Sequence, residues 1–239
     1  MFHKSENLGM MKNLIFALRQ CTGKYTAICE GDDYWTDPLK LQKQADILEK
    51  NPAFSMVVSN RTVIKDNGGH YDELYDKEHQ KKLFSISDIV SGFVPGTQTM
   101  MFRNYVSLPD YLLAHPEFYY GDRFIAYFCS LFGKIFLLKE ITAVYRMTGE
   151  GVWSVNTPLE KSHRLTRFME DFHASLGIPV NNSSLANYGL SSAYDTLRYC
   201  IKRPKLFTNK EYRKLIKNEW LRFNKMNRLK ILLQIIFKR

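Results

Sequence analysis

Three carboxylates stand within four residues at Glu30-Gly31-Asp32-Asp33, directly after the short apolar run Tyr25-Thr26-Ala27-Ile28-Cys29. Like charges at that density repel one another and do little for stability, so the cluster asks for a compensating cation. Hard oxygen ligands suit Mg²⁺ or Mn²⁺, which can in turn bridge a diphosphate. The end of a strand is also where ligand sites of open α/β sheets lie. The alternative is a solvated turn-and-cap cluster, with Gly31 making the turn and Asp37 capping the helix that Pro38 begins. The four residues alone leave both readings open.

Other familiar chemistry is missing. Cys21, Cys29, Cys129 and Cys200 are far apart and form no C-x-x-C pair, which excludes zinc spacing and points to reduced thiols. His70, His79, His115, His163 and His173 show no ligand spacing either. A chain of 239 residues with 45% hydrophobic and 24% charged side chains has the balance of a globular protein, not of a disordered one or a disulfide miniprotein.

The elements that must position the cluster follow from periodicity. Leu8, Met11, Ile15 and Leu18 form one stripe of a helix over 7–18. Strands are expected at 25–29, 54–60 and 97–103, then at 135–138 and 143–146. Helices are expected from Pro38 to about Glu49 and over 121–132, with a polar surface loop at 65–82. Beyond Pro158 the pattern is helical. The class is α/β, with a domain over 1–157 and a helical basic extension over 158–239.

Gly23-Lys24-Tyr25, the acidic loop with Tyr34-Trp35, and Asp37-Pro38-Leu39-Lys40-Leu41-Gln42-Lys43-Gln44 together resemble the central signature of bacterial family 2 glycosyltransferases of the GT-A fold. Glu6-Asn7-Leu8-Gly9 is similar to the helix before that strand. The resemblance implies a GT-A-like mixed sheet flanked by helices. It also implies that Glu30, Asp32 and Asp33 form the D-x-D-type motif. Asp32 would hold Mn²⁺ or Mg²⁺ and the diphosphate of a nucleotide-sugar donor. The family's opening strand and nucleobase contact do not precede the first helix, so the sheet is expected to be incomplete at its amino terminus.

A second set of motifs follows the order of the family's acceptor half: Gly121-Asp122, Gly133-Lys134-Ile135, Tyr145-Arg146 and Gly151-Val152-Trp153-Ser154. By position Asp122 is the general base of an inverting transfer, with capping of its helix as the plainer use and Glu117 as a weaker substitute. Thr148 stands where many members carry a histidine ligand. Arg103 falls on a segment that resembles the strand bordering the acceptor site, with a structural role the commoner use of such residues. Trp35 and Trp153 are candidates to stack on a sugar, with burial in the core an equal alternative. The implied function is metal-dependent transfer to a glycan or lipid-linked glycan acceptor. The rival is a non-catalytic remnant that keeps only the acceptor half.

Charge adds a further expectation. The net charge of +10 is carried by the tail, where 14 Lys+Arg face 2 Asp+Glu between Arg198 and Arg239. Tyr212, Leu215, Ile216, Trp220, Phe223, Leu229, Leu232, Leu233, Ile236 and Phe237 alternate with those cations, the pattern of an interfacial helix on an anionic membrane surface. A helix packed on the domain is the second reading. Nucleic acid is set aside because the body holds 20 basic and 22 acidic residues and no nucleic-acid module. No apolar run reaches the ~20 residues of a spanning helix, and the start lacks a signal peptide's apolar region. The expected location is the cytoplasm, peripheral at the inner face of the membrane.

Overall fold

The computed structural model describes residues 6–90, 93–114 and 120–149, which lie in the first of two compact units, Met1–Gly149. The expected extension over 158–239, its basic helix, Glu117 and Trp153 lie outside the described residues.

The chain forms helix α1 (Met10–Gln20), strands β1 (Tyr25–Ala27) and β2 (Tyr34–Trp35), then helix α2 (Lys40–Lys50). Strand β3 (Phe54–Lys65) and strand β4 (His70–Glu73) follow, then α3 (Tyr75–His79), β5 (Leu83–Phe84) and α4 (Ile86–Val90). A single 3₁₀ turn over Thr97–Thr99 leads into β6 (Met101–Arg103), α5 (Leu108–Ala114), α6 (Gly121–Ser130) and β7 (Lys134–Met147). The sheet runs β1-β6-β3-β7-β2, with β4 added to β3 and β5 to β7. Among the described residues only β3 and β7 pair in parallel; the remaining pairs are antiparallel. This is the mixed, helix-flanked α/β sheet that the resemblance implies.

Both faces of the sheet are covered. Val57, Met101 and Leu48 of α2 form one buried cluster, against which Tyr25, Ala27, Phe54 and Phe136 pack. Met56, Val58, Phe102, Ile135 and Leu137 alternate to the other face and are also buried. Helix α6 packs against β3 and β7 and is buried from Phe124 to Ser130. Each such apolar side chain contributes about 1.5–3 kcal/mol when removed from water. Met11, Ile15 and Leu18 of the expected stripe lie on α1, with Ile15 and Leu18 buried, whereas Leu8 precedes the helix, which starts at Met10 and not at residue 7.

Other bounds also differ from the sequence expectation, and β1 ends at Ala27, not at Cys29. Residues 65–82 are no simple loop: β3 continues to Lys65, turns through Asp66–Gly69 and returns as β4, followed by α3. The expected strands at 135–138 and 143–146 are one strand, β7, whose pairing with β3 jumps from Leu138 to Ile141. Asn60 fills that bulge by donating to the Lys139 carbonyl at 2.7 Å. The expected strand over 97–103 begins only at Met101, because Thr97–Thr99 turn as a 3₁₀ helix. Finally, Asp37 does not cap the helix at its first residue. It accepts from the Leu39 N–H at 2.8 Å and pairs with Lys43.

Gly133 is required by a close approach: a Cβ there would lie 2.6 Å from the Ala53 carbonyl oxygen and 3.0 Å from Ser55 N. Those neighbours are backbone and cannot swing away. Gly133→Ala is expected to cost about 1–3 kcal/mol, read as a fall in the urea midpoint at unchanged slope. An unchanged midpoint would mean that the start of β7 yields freely. Among the described residues no helix is long and apolar enough to cross a membrane.

Candidate functional site

The acidic loop leaves β1 at the sheet edge and re-enters as β2, which pairs with β7 through Tyr34–Val144 and Trp35–Ala143. A turn closes it, with Asp33 N–H donating to the Glu30 carbonyl at 3.1 Å. Two further bonds fasten it to the end of β7: the Arg146 N–H donates to Asp33 Oδ1 at 2.9 Å, and the Arg146 guanidinium donates to the Asp32 carbonyl. The Thr36 N–H donates to the Thr142 carbonyl at 3.0 Å, continuing the same seam.

Within this frame Glu30, Asp32 and Asp33 each offer a carboxylate oxygen, and the three atoms lie within 4.8 Å of one another. Glu30 and Asp32 are exposed, whereas Asp33 is only 8% exposed. Its Oδ2 is buried and, among the described residues, has no hydrogen-bond partner. A buried, unpartnered carboxylate oxygen is costly unless something positive meets it. Here it stands in a cluster of hard oxygen donors, and the residues fit a divalent cation of the Mg²⁺ or Mn²⁺ class.

The electrostatics agree. Glu30 reaches solvent, but protein atoms crowd its carboxyl, and this desolvation is the largest cause of a pKa pushed up to about 7. The charges of Asp122, Asp33 and Asp32 push in the same direction, while Arg61 opposes them. Burial likewise raises Asp33, against the Arg146 N–H that stabilises its charged form. The influence of Asp122 on Glu30 also carries geometric information. Ninety-two positions separate the two in sequence, yet the fold brings the carboxylate at the start of α6 within electrostatic reach of the loop.

Asp122 sits half-buried in the first turn of α6, its Oδ1 accepting from the Arg123 N–H at 2.7 Å. Helix α1 lies close by, since a Cβ on Gly121 would be 2.5 Å from Leu14 Cδ2. Trp35 is half-buried, its Nε1 donating to the Gln98 carbonyl at 2.9 Å and its ring meeting the Lys40 ammonium 4.8 Å from the ring centre. Arg103 is not brought to this place. It pairs with Tyr25, at the opposite end of β1 from the loop. Its guanidinium donates to the carbonyls of Leu48, Phe54 and Asn51, tying the end of α2 to the sheet.

Two cations belong to the surroundings of the loop: Arg146, which the resemblance puts in the acceptor half, and Arg61, which the sequence pattern leaves without a role. Arg146 clamps it, as described. Arg61 pairs with Glu73, lies 4.9 Å from the centre of the Tyr145 ring, and is felt by both Glu30 and Asp33. The register Trp35–Ala143–Arg61–Glu73 across β2, β7, β3 and β4 puts it in the same row as Trp35. Nothing in local sequence pattern marks an arginine inside a strand as belonging to a carboxylate cluster about thirty residues earlier.

Residues 1–107 match the family model described as Glycosyl transferase family 2. An uncharacterized protein of Mycobacterium bovis is 30% identical over 150 residues, covering 63% of this chain and 42% of the relative. Uncharacterized proteins from two strains of Mycobacterium tuberculosis match to the same extent. The chain thus spans about two fifths of the length of these relatives.

Proposed function

We propose that this chain, whose residues 1–107 match the model of glycosyl transferase family 2, transfers a sugar from a nucleotide-sugar donor to a glycan or lipid-linked glycan acceptor, with inversion at the anomeric carbon. The observation that carries the reading is the unpartnered, buried Asp33 Oδ2 within a three-carboxylate cluster, with a fourth carboxylate, Asp122, in electrostatic reach.

A divalent cation bound there would supply positive charge to the diphosphate oxygens of the donor. Glu30, Asp32 and Asp33 would hold it, with the exposed Asp32 free to face the solvent side. Asp122 takes the proton of the acceptor hydroxyl. The hydroxyl oxygen forms the new bond to the anomeric carbon as the bond to the diphosphate oxygen breaks, and the electron pair leaves with the nucleoside diphosphate. Trp35, fixed at its Nε1, offers its ring to a sugar beside the loop, and Trp153 is a second candidate on the acceptor side. The basic segment near the carboxyl terminus would bring the enzyme to an anionic membrane surface, at the inner face of the membrane in the cytoplasm.

Asp32→Asn tests the metal reading. Its carboxylate is exposed, so thermal unfolding is expected to be unchanged. Mn²⁺ affinity, measured by the loss of the free-ion paramagnetic resonance signal, is expected to fall by more than the ~10–100-fold that loss of an outer-shell partner costs. Unchanged Mn²⁺ binding, or a wild-type chain that binds none, would return the cluster to a solvated turn.

A further inference from the structure

Beneath the acidic loop lies a lysine that the proposed reaction does not use. Lys40 is 1% exposed, and among the described residues no carboxylate pairs with it. Its ammonium donates to Gln44 Oε1 at 2.7 Å and lies 4.8 Å from the centre of the Trp35 ring. Gln44, also fully buried, donates to the carbonyls of Thr99 at 2.8 Å and Val57 at 3.3 Å. Trp35 in turn donates to the Gln98 carbonyl. One polar column therefore joins α2, β3, the 97–99 turn and β2, the strand into which the loop opens.

The Cys29 thiol, one residue before Glu30, is also within electrostatic reach of the Lys40 ammonium. A buried ammonium without a counter-ion is an expensive choice, and a methionine would fill the same volume without that cost. Of its two contacts, the Trp35 ring leads to β2 and the loop, and the Gln44 amide anchors the lysine to the sheet through the Val57 and Thr99 carbonyls.

We propose that Lys40 is a positioning residue which, through the Trp35 ring, holds the Glu30–Asp33 loop in the form where its three carboxylates converge. The proposal uses the reading of the loop as a metal site only for its consequence; the restraint on the loop stands by itself. Cation–π contact and the Gln44 tether each restrict the start of β2. Removing the ammonium leaves the lysine's packing stem replaceable but frees the strand that the loop depends on.

The test combines hydrogen exchange with Mn²⁺ titration on the full chain, for wild type, Lys40→Met, Trp35→Ala and the double variant. In the metal-free protein, exchange of the peptide spanning residues 30–36 is expected to quicken about tenfold in Lys40→Met, while β3 and β7 keep their protection. Mn²⁺ affinity should fall by a similar factor. The double variant should lose no more than Trp35→Ala alone, the signature of two groups acting in series. Loop exchange within about twofold of wild type in folded Lys40→Met overturns the proposal, and so does full additivity in the double variant. If Lys40→Met does not fold, Lys40→Arg decides: retained loop protection supports the proposal, lost protection overturns it. A wild-type chain that binds no Mn²⁺ would defeat the proposed function, and the exchange measurement would still decide whether Lys40 restrains the loop.

Discussion

Asp122→Asn is expected to lower turnover by about 10²–10⁴-fold, the usual contribution of a positioned general base, while donor and Mn²⁺ binding persist. The sign of the second half follows from the geometry. Asp122 acts on Glu30 as a like charge and helps to raise its pKa. Neutralising it removes some attraction for the cation but also lowers the Glu30 pKa from about 7, so more of that carboxylate is ionised near neutral pH and the two effects offset. The fold should also tolerate the change, since an asparagine oxygen can accept from the Arg123 N–H as the carboxylate does. Single-turnover measurements at saturating donor separate the two effects. A parallel loss of donor affinity and rate would mean that Asp122 belongs to the cation site, not to the acceptor.

What the sequence made legible was whatever depends on local spacing. The α1 stripe, the helix after Asp37-Pro38 and the buried helix after Gly121 each rest on contacts within one element, and each forms close to its expected bounds. The acidic loop was legible for the same reason: its three carboxylates are neighbours in the chain. Features set by pairing were not. Lys139-Glu140 interrupts the apolar pattern of β7, which reads as a break between two strands. The backbone instead bulges there, and Asn60 on β3 donates to the Lys139 carbonyl while accepting from the Tyr75 N–H. The strand survives because a side chain from another element satisfies the bulge.

The β3–β4 hairpin escaped for a related reason. Residues 65–73 are mostly polar, and the strands they belong to join side chains across the hairpin, Arg61 with Glu73 and Thr62 with Asp72. Read along the chain those residues look like a charged loop; read across it they are ladder partners. The neighbours of the site were hidden in the same way. Arg146 reaches the loop from 113 positions away, and the Lys40–Trp35 contact joins a helix face to a strand. Lys40 and Gln44 sit at i and i+4, a spacing that puts them on one helical face. Only the Thr99 and Val57 carbonyls reveal that this face is buried.

Burial of that lysine has a measurable cost. Desolvation pulls the Lys40 pKa down from 10.5 to about 8. Between those values the unfolded chain binds a proton that the folded chain releases, so stability rises with pH across the window from about 8 to 10.5. Below that window the folded protein carries the full cost of the buried ammonium. A shift of this size corresponds to roughly 3 kcal/mol. Lys40→Met removes the titrating group but leaves Gln44 Oε1 without its donor, which costs about 1–3 kcal/mol. At neutral pH the two nearly offset, and the variant is expected to be at least as stable as wild type. The sharper signature is the difference in slope. Chemical denaturation from about pH 7 to pH 10 should show wild type gaining on Lys40→Met by about 2–3 kcal/mol, since only the wild-type lysine is relieved of its proton in the fold. Parallel pH profiles for the two proteins would mean that the ammonium is solvated in the native state. The column from α2 through Trp35 would then have no buried charge to hold it, and the lysine would act on the loop by its bulk alone.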